Sequence, residues 1–193
     1  MPTPCTARFV AMSEIVIHPL DASPALCAEL AGILVDVVAH NGSVSFMHPL
    51  APEAAHAFWE RALAAAGRGE RIVLGARENG VLAATVTLLL DFPPNQPHRG
   101  EIAKLMTRPT HRGRGFAAAL VREAERLAIE HDRTLLVLDT ATDGGASGLY
   151  EGLGFTLTGE IPDFALTPYG VLTGTRIYWK RIGASSSRAG INP

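Results

Sequence analysis

The chain has 193 residues, of which 47% are hydrophobic and 19% are charged, and its formal net charge is −2 at pH 7. This balance is typical of one folded domain with a sizeable core, and it argues against an intrinsically disordered chain. The slightly negative charge gives no general electrostatic basis for binding nucleic acid or an anionic membrane. Cys5 and Cys27 are the two cysteines, and they supply neither a metal-ligand spacing nor a disulfide framework.

No apolar run approaches the ~20 residues that are needed to span a bilayer. Residues 1–13 lack the apolar core of a secretion signal. We therefore expect a cytoplasmic protein. The composition predicts a flexible N-terminal segment at 1–13, a single domain at 14–182 and a disordered tail at 183–193.

Apolar periodicity and turn residues define the predicted elements. Ser23-Pro24 is typical of a helix start, because a capping hydroxyl precedes a proline at the first helical position. Asn79-Gly80 predicts a tight hairpin turn. The predicted elements are, in chain order, strand 15–18, helix 24–40, helix 51–66, strands 71–77, 81–91 and 101–107, helix 115–131, strand 134–140, short helix 144–152, a strand from 155 and strand 172–180. This order predicts an α/β fold with a mixed sheet and helices on both faces.

The segment Arg112-Gly113-Arg114-Gly115-Phe116-Ala117 joins the strand 101–107 to the amphipathic helix 115–131. Its two glycines permit tight curvature and close approach of the backbone to a ligand. The unpaired amides of the first helical turn then lie at the positive end of the helix dipole. The segment therefore predicts a phosphate or pyrophosphate site, with an Arg/Gly surface loop as the alternative. A nucleic-acid site is disfavoured because no aromatic side chains interleave with the arginines.

The pattern Arg-x-x-Gly-x-Ala at Arg112, Gly115 and Ala117 resembles the acyl-CoA pyrophosphate loop of the GNAT family of N-acetyltransferases. After the strand 135–139, the segment Ala146-Ser147-Gly148-Leu149-Tyr150-Glu151-Gly152-Leu153-Gly154-Phe155 is similar to the family's last helix, Ala-x-x-Leu-Tyr-x-x-Leu-Gly-Phe. The resemblance covers roughly residues 14–181. Within the family, four stretches resemble tabtoxin-resistance acetyltransferases: Ser45-Phe46-Met47, Lys104-Leu105-Met106, Leu138-Asp139-Thr140 and Gly159-Glu160-Ile161-Pro162.

The resemblance implies the GNAT fold, a mostly antiparallel mixed sheet whose central strands four and five splay apart to admit acetyl-CoA. It implies that the backbone at 105–107 pairs with the pantetheine amides like an added strand. Asp143 stands where many family members have asparagine. The implied cofactor-binding residues are Leu105, Met106, Thr107, Arg112, Gly113, Arg114, Gly115, Phe116, Ala117, Asp143 and Ala146. No metal is expected.

Transfer of an acetyl group to an amine requires a neutral amine and a stabilised leaving thiolate. Tyr150 matches the family tyrosine whose hydroxyl faces the cofactor sulfur, and a phenol can donate a proton to the thiolate. The alternative for Tyr150 is a core aromatic residue. Glu101 and Asp139 lie at the ends of adjacent predicted strands, so either is a candidate base or a ligand of the substrate ammonium. Their structural alternatives are an edge charge for Glu101 and a turn cap for Asp139.

The loop 41–48, between the first two helices, covers the acceptor site in this family. Phe46, Met47 and His48 are therefore candidate substrate-binding residues. We expect an acetyl-CoA-dependent N-acetyltransferase that acts on a small amine-bearing metabolite or toxin, as a monomer or homodimer without nucleic-acid or membrane partners. The alternatives are a non-catalytic acyl-CoA sensor and an acetyltransferase of protein N-termini or lysines.

Overall fold

The computed structural model describes residues 15–144 and 146–183. The segment predicted to be flexible, 1–13, lies outside the described residues, as does the tail beyond Gly183. Four helices and seven strands follow one another in the order expected from the sequence. The helices are α1 (Pro24–Ala39), α2 (Pro52–Gly67), α3 (Phe116–Glu130) and α4 (Ser147–Gly152). The strands are β1 (Val16–Pro19), β2 (Arg71–Glu78), β3 (Val81–Leu89), β4 (Arg99–Thr107), β5 (Leu135–Ala141), β6 (Thr156–Leu166) and β7 (Leu172–Arg181).

The seven strands form one sheet in the order β1-β2-β3-β4-β5-β7-β6. Every neighbouring pair is antiparallel except β4 and β5, which are parallel. The prediction of a mixed, mostly antiparallel sheet is therefore confirmed. The parallel pair divides the sheet into two antiparallel parts, and α3 is the crossover helix between them.

Local sequence explains why the helices and the first hairpin form where they do. The hydroxyl of Ser23 accepts a hydrogen bond from the amide of Leu26 at 3.2 Å, which caps α1 ahead of Pro24. Asn79 and Gly80 both have positive φ, 49° and 83°, as the tight turn between β2 and β3 requires. Each of these features depends on residues that are close in sequence, and each was predicted.

Helices cover both faces of the sheet, so two cores form. The core on one face lies between the sheet and the helices α1 and α2, with Trp59 and Leu30 fully buried. The core on the other face lies between the sheet and α3, with Phe116, Leu120 and Tyr178 buried. Burial of this apolar surface supplies the main stabilisation of the domain. Of the helices in the described ranges, none is long and apolar enough to cross a membrane.

Two boundaries differ from the sequence-based expectation. The segment 144–152 was predicted to be one short helix, but a 3-10 turn at Thr142–Gly144 precedes α4, which begins at Ser147. Glycines at 144, 145 and 148 weaken helical propensity there, which accounts for the shorter helix. Strand β4 begins at Arg99, two residues before the predicted start at 101, because pairing with Leu135 of β5 extends it.

Candidate active site

The loop between β4 and α3 has the conformation that its glycines predict. Gly113 has a φ of 73° and Gly115 a φ of 87°, and Gly115 is the N-terminal cap of α3. Residues that carry a Cβ rarely adopt such φ values, so glycine is the residue suited to both positions. The amides at the start of α3 have no partner within the helix and carry the positive end of its dipole. The loop is thus a backbone cradle for an anion.

A cleft of about 460 Å³ opens beside this cradle. None of the side chains that line it is acidic, and Arg112 and His111 are its basic members. The lining residues are Thr107, His111, Arg112, Gly113, Gly115, Phe116, Ala117, Ala118, Gly144, Ala146 and Leu149. Helix-start amides, an exposed arginine without an ion pair in the described part of the chain, and a described lining that contains no carboxylate fit a pyrophosphate. The lining includes seven of the residues implied to hold the cofactor: Thr107, Arg112, Gly113, Gly115, Phe116, Ala117 and Ala146.

Arg114 does not line this cleft. Its guanidinium donates a hydrogen bond to the carboxylate of Glu78, which is buried at the end of β2. The Nε2 atom of His111 lies 3.7 Å from the other oxygen of Glu78. The Glu78 carboxylate therefore joins two residues of the loop to the sheet, and Arg114 acts in the structure as an anchor of the loop.

Strands β4 and β5 are paired only at their beginnings. The parallel register runs from Arg99 opposite Leu135 to Glu101 opposite Val137, and the strands then separate. On its other side, β4 stays paired with β3 as far as Thr107. The β5-facing backbone edge of β4 beyond Glu101 is thus left without a neighbouring strand among the described residues. Leu105, Met106 and Thr107 lie along this edge, where the resemblance implies that a pantetheine arm adds as a strand.

A β-bulge in β4 changes which side chains face the opening. Thr87 and Thr85 of β3 pair with Ala103 and Met106, so two residues of β4 lie opposite one of β3, and Lys104 has a φ of 51°. Ile102 packs into the α3-side core, whereas Met106 packs into the core under α1 and α2. In a regular strand these positions, four apart, would share a face.

Lys104 of β4 contacts the loop between α1 and α2, although the sequence did not single it out as a candidate site residue. Its Nζ atom donates a hydrogen bond to the hydroxyl of Ser45, in the loop between α1 and α2, at 3.0 Å. Burial lowers the pKa of Lys104 from its usual value, while the charges of Asp139 and Glu101 act in the opposite direction. The one available signal was a lysine within the otherwise apolar run Ile102-Ala103-Lys104-Leu105-Met106.

The two carboxylates proposed from the sequence lie on opposite walls of the opening. Glu101, the last paired residue of β4, forms an ion pair with Arg99 at 2.7 Å. Asp139 of β5 accepts a hydrogen bond from the hydroxyl of Thr175 at 3.2 Å. Glu101 is therefore already neutralised by a neighbouring cation, whereas the partner of Asp139 is a neutral hydroxyl.

Tyr150 is buried at the end of α4, with 5% of its surface exposed. Its ring lies against Phe155 and Tyr178, with centroids 6.0 Å and 5.9 Å away. Among the described residues its hydroxyl has no hydrogen-bond partner. Burial, with a smaller contribution from the charge of Asp139, raises the pKa of Tyr150 to about 12. The phenol therefore stays protonated at neutral pH and can act as a hydrogen-bond donor.

The remaining predicted cofactor residue, Asp143, faces β7. Its carboxylate accepts a hydrogen bond from the hydroxyl of Thr173 at 3.1 Å, within the 3-10 turn that precedes α4. Asp143 thus fixes this turn against β7.

The loop between α1 and α2 is held in place by the turn between β6 and β7. The amide of His48 donates to the carbonyl of Pro168 at 2.8 Å, and the imidazole ring lies 4.7 Å from the ring of Tyr169. The Tyr169 hydroxyl donates to the carbonyl of Ala39 at 2.9 Å. Phe46 packs edge-on against Phe58 in the core, and Met47 is 47% exposed. The three predicted acceptor-site residues therefore differ in setting, with Phe46 packed inward, Met47 exposed and His48 bound to the turn.

Proteins of known sequence share part of this chain. N-acetyltransferase 8F1 of Rattus norvegicus is 36% identical over 83 residues, 42% of this chain and 38% of that protein. N-acetyltransferase 8B of Homo sapiens is 36% identical over 84 residues, 43% of this chain and 37% of that protein. The matched segment thus spans less than two fifths of the length of these relatives.

Solved structures share the whole fold. A putative acetyltransferase from Salmonella typhimurium with its cofactor acetyl-CoA has a TM-score of 0.73 and 21% identity, covering 91% of this chain and 98% of that chain. A phosphinothricin acetyltransferase from Sinorhizobium meliloti in complex with acetyl-CoA has a TM-score of 0.74 and 17% identity, covering 90% and 92% of the two chains. At these identities the likeness shows the fold. A family model, that of the acetyltransferase (GNAT) family, matches residues 39–155. With its motifs, its split sheet and this match over more than half of its length, the chain belongs to the acetyltransferase (GNAT) family.

Proposed function

We propose that this protein is an acetyl-CoA-dependent N-acetyltransferase that transfers the acetyl group directly to the amine of a small metabolite, an amino-acid-like compound, a toxin or an antibiotic. One observation carries the proposal. The anion cradle at Gly115 lines a cleft together with Leu149 of α4, the chain neighbour of Tyr150, and the strands β4 and β5 separate beyond Glu101. The charge of Asp139 acts on Tyr150, so a carboxylate lies near this phenol. Cofactor and acceptor chemistry thus meet in a single opening.

In this proposal the cofactor is held mainly by backbone. The amides at the start of α3 and the side chain of Arg112 bind the pyrophosphate. The free edge of β4 at 105–107 pairs with the pantetheine arm, which satisfies backbone groups that would otherwise face the opening. The thioester of bound acetyl-CoA supplies the acyl group.

The side chains at the opening then perform the proton transfers. An amine of pKa ~10 is mostly protonated at neutral pH, so a carboxylate must accept its proton before attack. Asp139 is the better placed base because Glu101 is paired with Arg99. Tyr150 donates a hydrogen bond to the departing thiolate. The raised pKa of Tyr150 keeps this phenol protonated at neutral pH, so that it retains a hydrogen to donate.

The fixed loop beside the opening favours a small substrate over a protein. The loop between α1 and α2 is fixed to the β6–β7 turn by His48 and Tyr169, and to β4 by the hydrogen bond from Lys104 to Ser45. A ribosomal-protein-alanine N-acetyltransferase from Brucella melitensis shares the fold, with a TM-score of 0.71, 20% identity and coverage of 86% of this chain and 99% of that chain. An acetyltransferase of protein N-termini is therefore the second candidate. A cofactor sensor would need neither Tyr150 nor Asp139.

The test is a panel of amino acids, dipeptides, polyamines, amine-bearing antibiotics and short peptides incubated with acetyl-CoA. Thiol release measures turnover, and mass spectrometry identifies the acetylated product. Acetylation of a small amine supports the proposal. Acetylation of peptides alone would favour the second candidate, and calorimetric binding of acetyl-CoA with no transfer to any amine would favour a sensor.

The tabtoxin-resistance likeness, the cytoplasmic location and the monomeric or homodimeric state remain predictions.

A further inference from the structure

Lys104 and Asp139 stand on opposite walls of the opening at nearly the same level. In the parallel register Glu101 lies opposite Val137, so Ala103 would lie opposite Asp139 if pairing continued. Lys104 is the next residue, and the bulge shortens the rise of β4 at this point. The charge of Asp139 also acts on the Lys104 ammonium, so a cation and an anion lie near one another where the two strands separate.

Neither charge is neutralised by a direct ion pair within the described ranges 15–144 and 146–183. Lys104 donates to a neutral hydroxyl, that of Ser45, and Asp139 accepts from a neutral hydroxyl, that of Thr175. By contrast, Glu101 is compensated by Arg99. The ammonium of Lys104 has three donors, of which the hydrogen bond to Ser45 uses one. The opening thus presents one negative and one positive charge with spare hydrogen-bonding capacity.

The backbone at Lys104 is shaped so that its side chain reaches this place. A non-glycine residue with φ near 51° is uncommon, and such a conformation has an energetic cost. Without the bulge, residues 101 and 104 would face opposite sides of the sheet. With it, Lys104 reaches Ser45 under α1 and α2, and burial lowers its pKa, which reflects a cation partly removed from water. A half-buried cation of this kind is stabilised by an anionic ligand.

We infer that the acceptor carries an anionic group, a carboxylate or an equivalent oxyanion, which binds Lys104 while the reacting amine lies at Asp139. The inference rests on the proposed function and deepens it, because it restricts the acceptors to zwitterions such as α-amino acids and their analogues. A plain amine or polyamine would give the partly buried ammonium of Lys104 no anionic hydrogen-bond partner. Lys104 is thus a specificity-determining residue, and Ser45 positions it.

The experiment compares L-amino acids with their primary amides and with the amines that decarboxylation would leave, for the wild type, for Lys104→Met and for Arg61→Met. Arg61 is exposed on α2 and serves as the control for the loss of one positive charge. Since an amide group lowers the pKa of the neighbouring amine, the decisive quantity is the change in the acid-to-amide ratio of kcat/KM between variants. We expect this ratio to fall at least tenfold in Lys104→Met, about 1.4 kcal/mol, mainly through a higher KM for the acid. Arg61→Met should leave it unchanged.

A second measurement uses the wild type alone and therefore does not depend on the folding of a variant. In the presence of CoA, the acids should raise the melting temperature more than the matching amides do. An unchanged ratio in Lys104→Met, or equal stabilisation by acid and amide, overturns the inference. If amines without an anionic group are acetylated with the same kcat/KM as the acids, the proposed function stands and the inference falls. If the wild type acetylates no member of this panel but acetylates other amines of the panel described under the proposed function, the inference falls and the proposed function stands. If it binds acetyl-CoA and acetylates no amine of either panel, the proposed function itself fails.

Discussion

The carboxylate of Glu78, at the end of β2, accepts a hydrogen bond from the guanidinium of Arg114, 36 residues later in the glycine loop. The two arginines of that loop consequently differ. Arg114 is tied to the sheet, whereas Arg112 lines the cleft and is exposed. The same local sequence, Arg-Gly-Arg-Gly, thus supplies one anchor and one candidate phosphate ligand.

This difference predicts two salt dependences. Arg112→Met should weaken acetyl-CoA binding and make it less sensitive to ionic strength, because an exposed charge on a phosphate is screened by salt. Arg114→Met should weaken binding by loosening the loop, with the salt dependence of the wild type retained. Calorimetric titrations at low and high salt measure both quantities. An equal loss of salt dependence in the two variants would show that Arg114 also contacts phosphate.

The backbone cradle predicts that Gly115→Asp raises the dissociation constant of acetyl-CoA by about tenfold or more, since a negative charge enters an anion site. Gly80→Asp is the matched control. Gly80 has a similar φ, 83° against 87°, and open space around it, but it lies in the hairpin turn away from the cleft. Both variants carry the same backbone cost, so only the charge in the cleft separates them. Equal affinities in the two variants would refute the cradle.

The position of Tyr150 predicts that Tyr150→Phe lowers kcat by about 100-fold while the affinity for acetyl-CoA stays within about twofold. In the proposed function the hydroxyl acts only when the thiolate departs, so its loss should lower kcat without weakening cofactor binding. Tyr178→Phe is the control, because its ring is buried 5.9 Å away and its hydroxyl bonds to Glu151 instead. A full kcat in Tyr150→Phe at several pH values would leave Tyr150 as a packing residue.

The proton acceptor is tested by Asp139→Asn and Glu101→Gln. If Asp139 is the base, its amide variant loses the acidic limb of the kcat/KM profile, since an amide cannot take the amine's proton. Glu101→Gln should keep that limb, because Glu101 is paired with Arg99. Loss of the acidic limb in Glu101→Gln alone would show that Glu101, and not Asp139, is the base.

Asp139→Asn has a spectroscopic consequence as well. The negative charge of Asp139 contributes to the raised pKa of Tyr150, which is about 12. Removal of that charge favours the phenolate and should lower this pKa toward, though not to, the ordinary value of ~10, because burial remains. Ultraviolet titration of tyrosine ionisation in both forms measures the shift. An unchanged pKa of Tyr150 would show that the charge of Asp139 does not influence Tyr150.

Features that depend on nearby residues were predictable from the sequence. The glycine loop, the cap at Ser23 and the turn at Asn79-Gly80 each arise within a few residues, so their conformations follow from local chemistry. The order of the elements followed from the same signals. The predicted role of Tyr150 depended on the family motif, because no local pattern indicates what its hydroxyl faces.

The acceptor side could not be predicted in the same way. The bulge at Lys104 arises from how β4 pairs with β3, and its consequence, contact with Ser45, joins residues 59 positions apart. The bond from Tyr169 to Ala39 spans 130 positions. Likewise, the sequence does not indicate whether Arg114 contacts a phosphate, solvent or another residue. In the structure it donates a hydrogen bond to Glu78. Long-range packing decided each of these contacts.

The separation of β4 from β5 has a consequence for how this protein can diverge. Backbone N–H and C=O groups along the free edge of β4 are identical for every residue except proline, so substitutions at 105–107 alter them little. In the proposed function the cofactor is recognised largely by such groups, whereas the acceptor is recognised by side chains such as Lys104 and Asp139. Mutation can therefore exchange one substrate for another while the donor of the acyl group stays the same. In the proposed function, therefore, acceptor specificity can change during evolution while acetyl transfer from the same cofactor is kept.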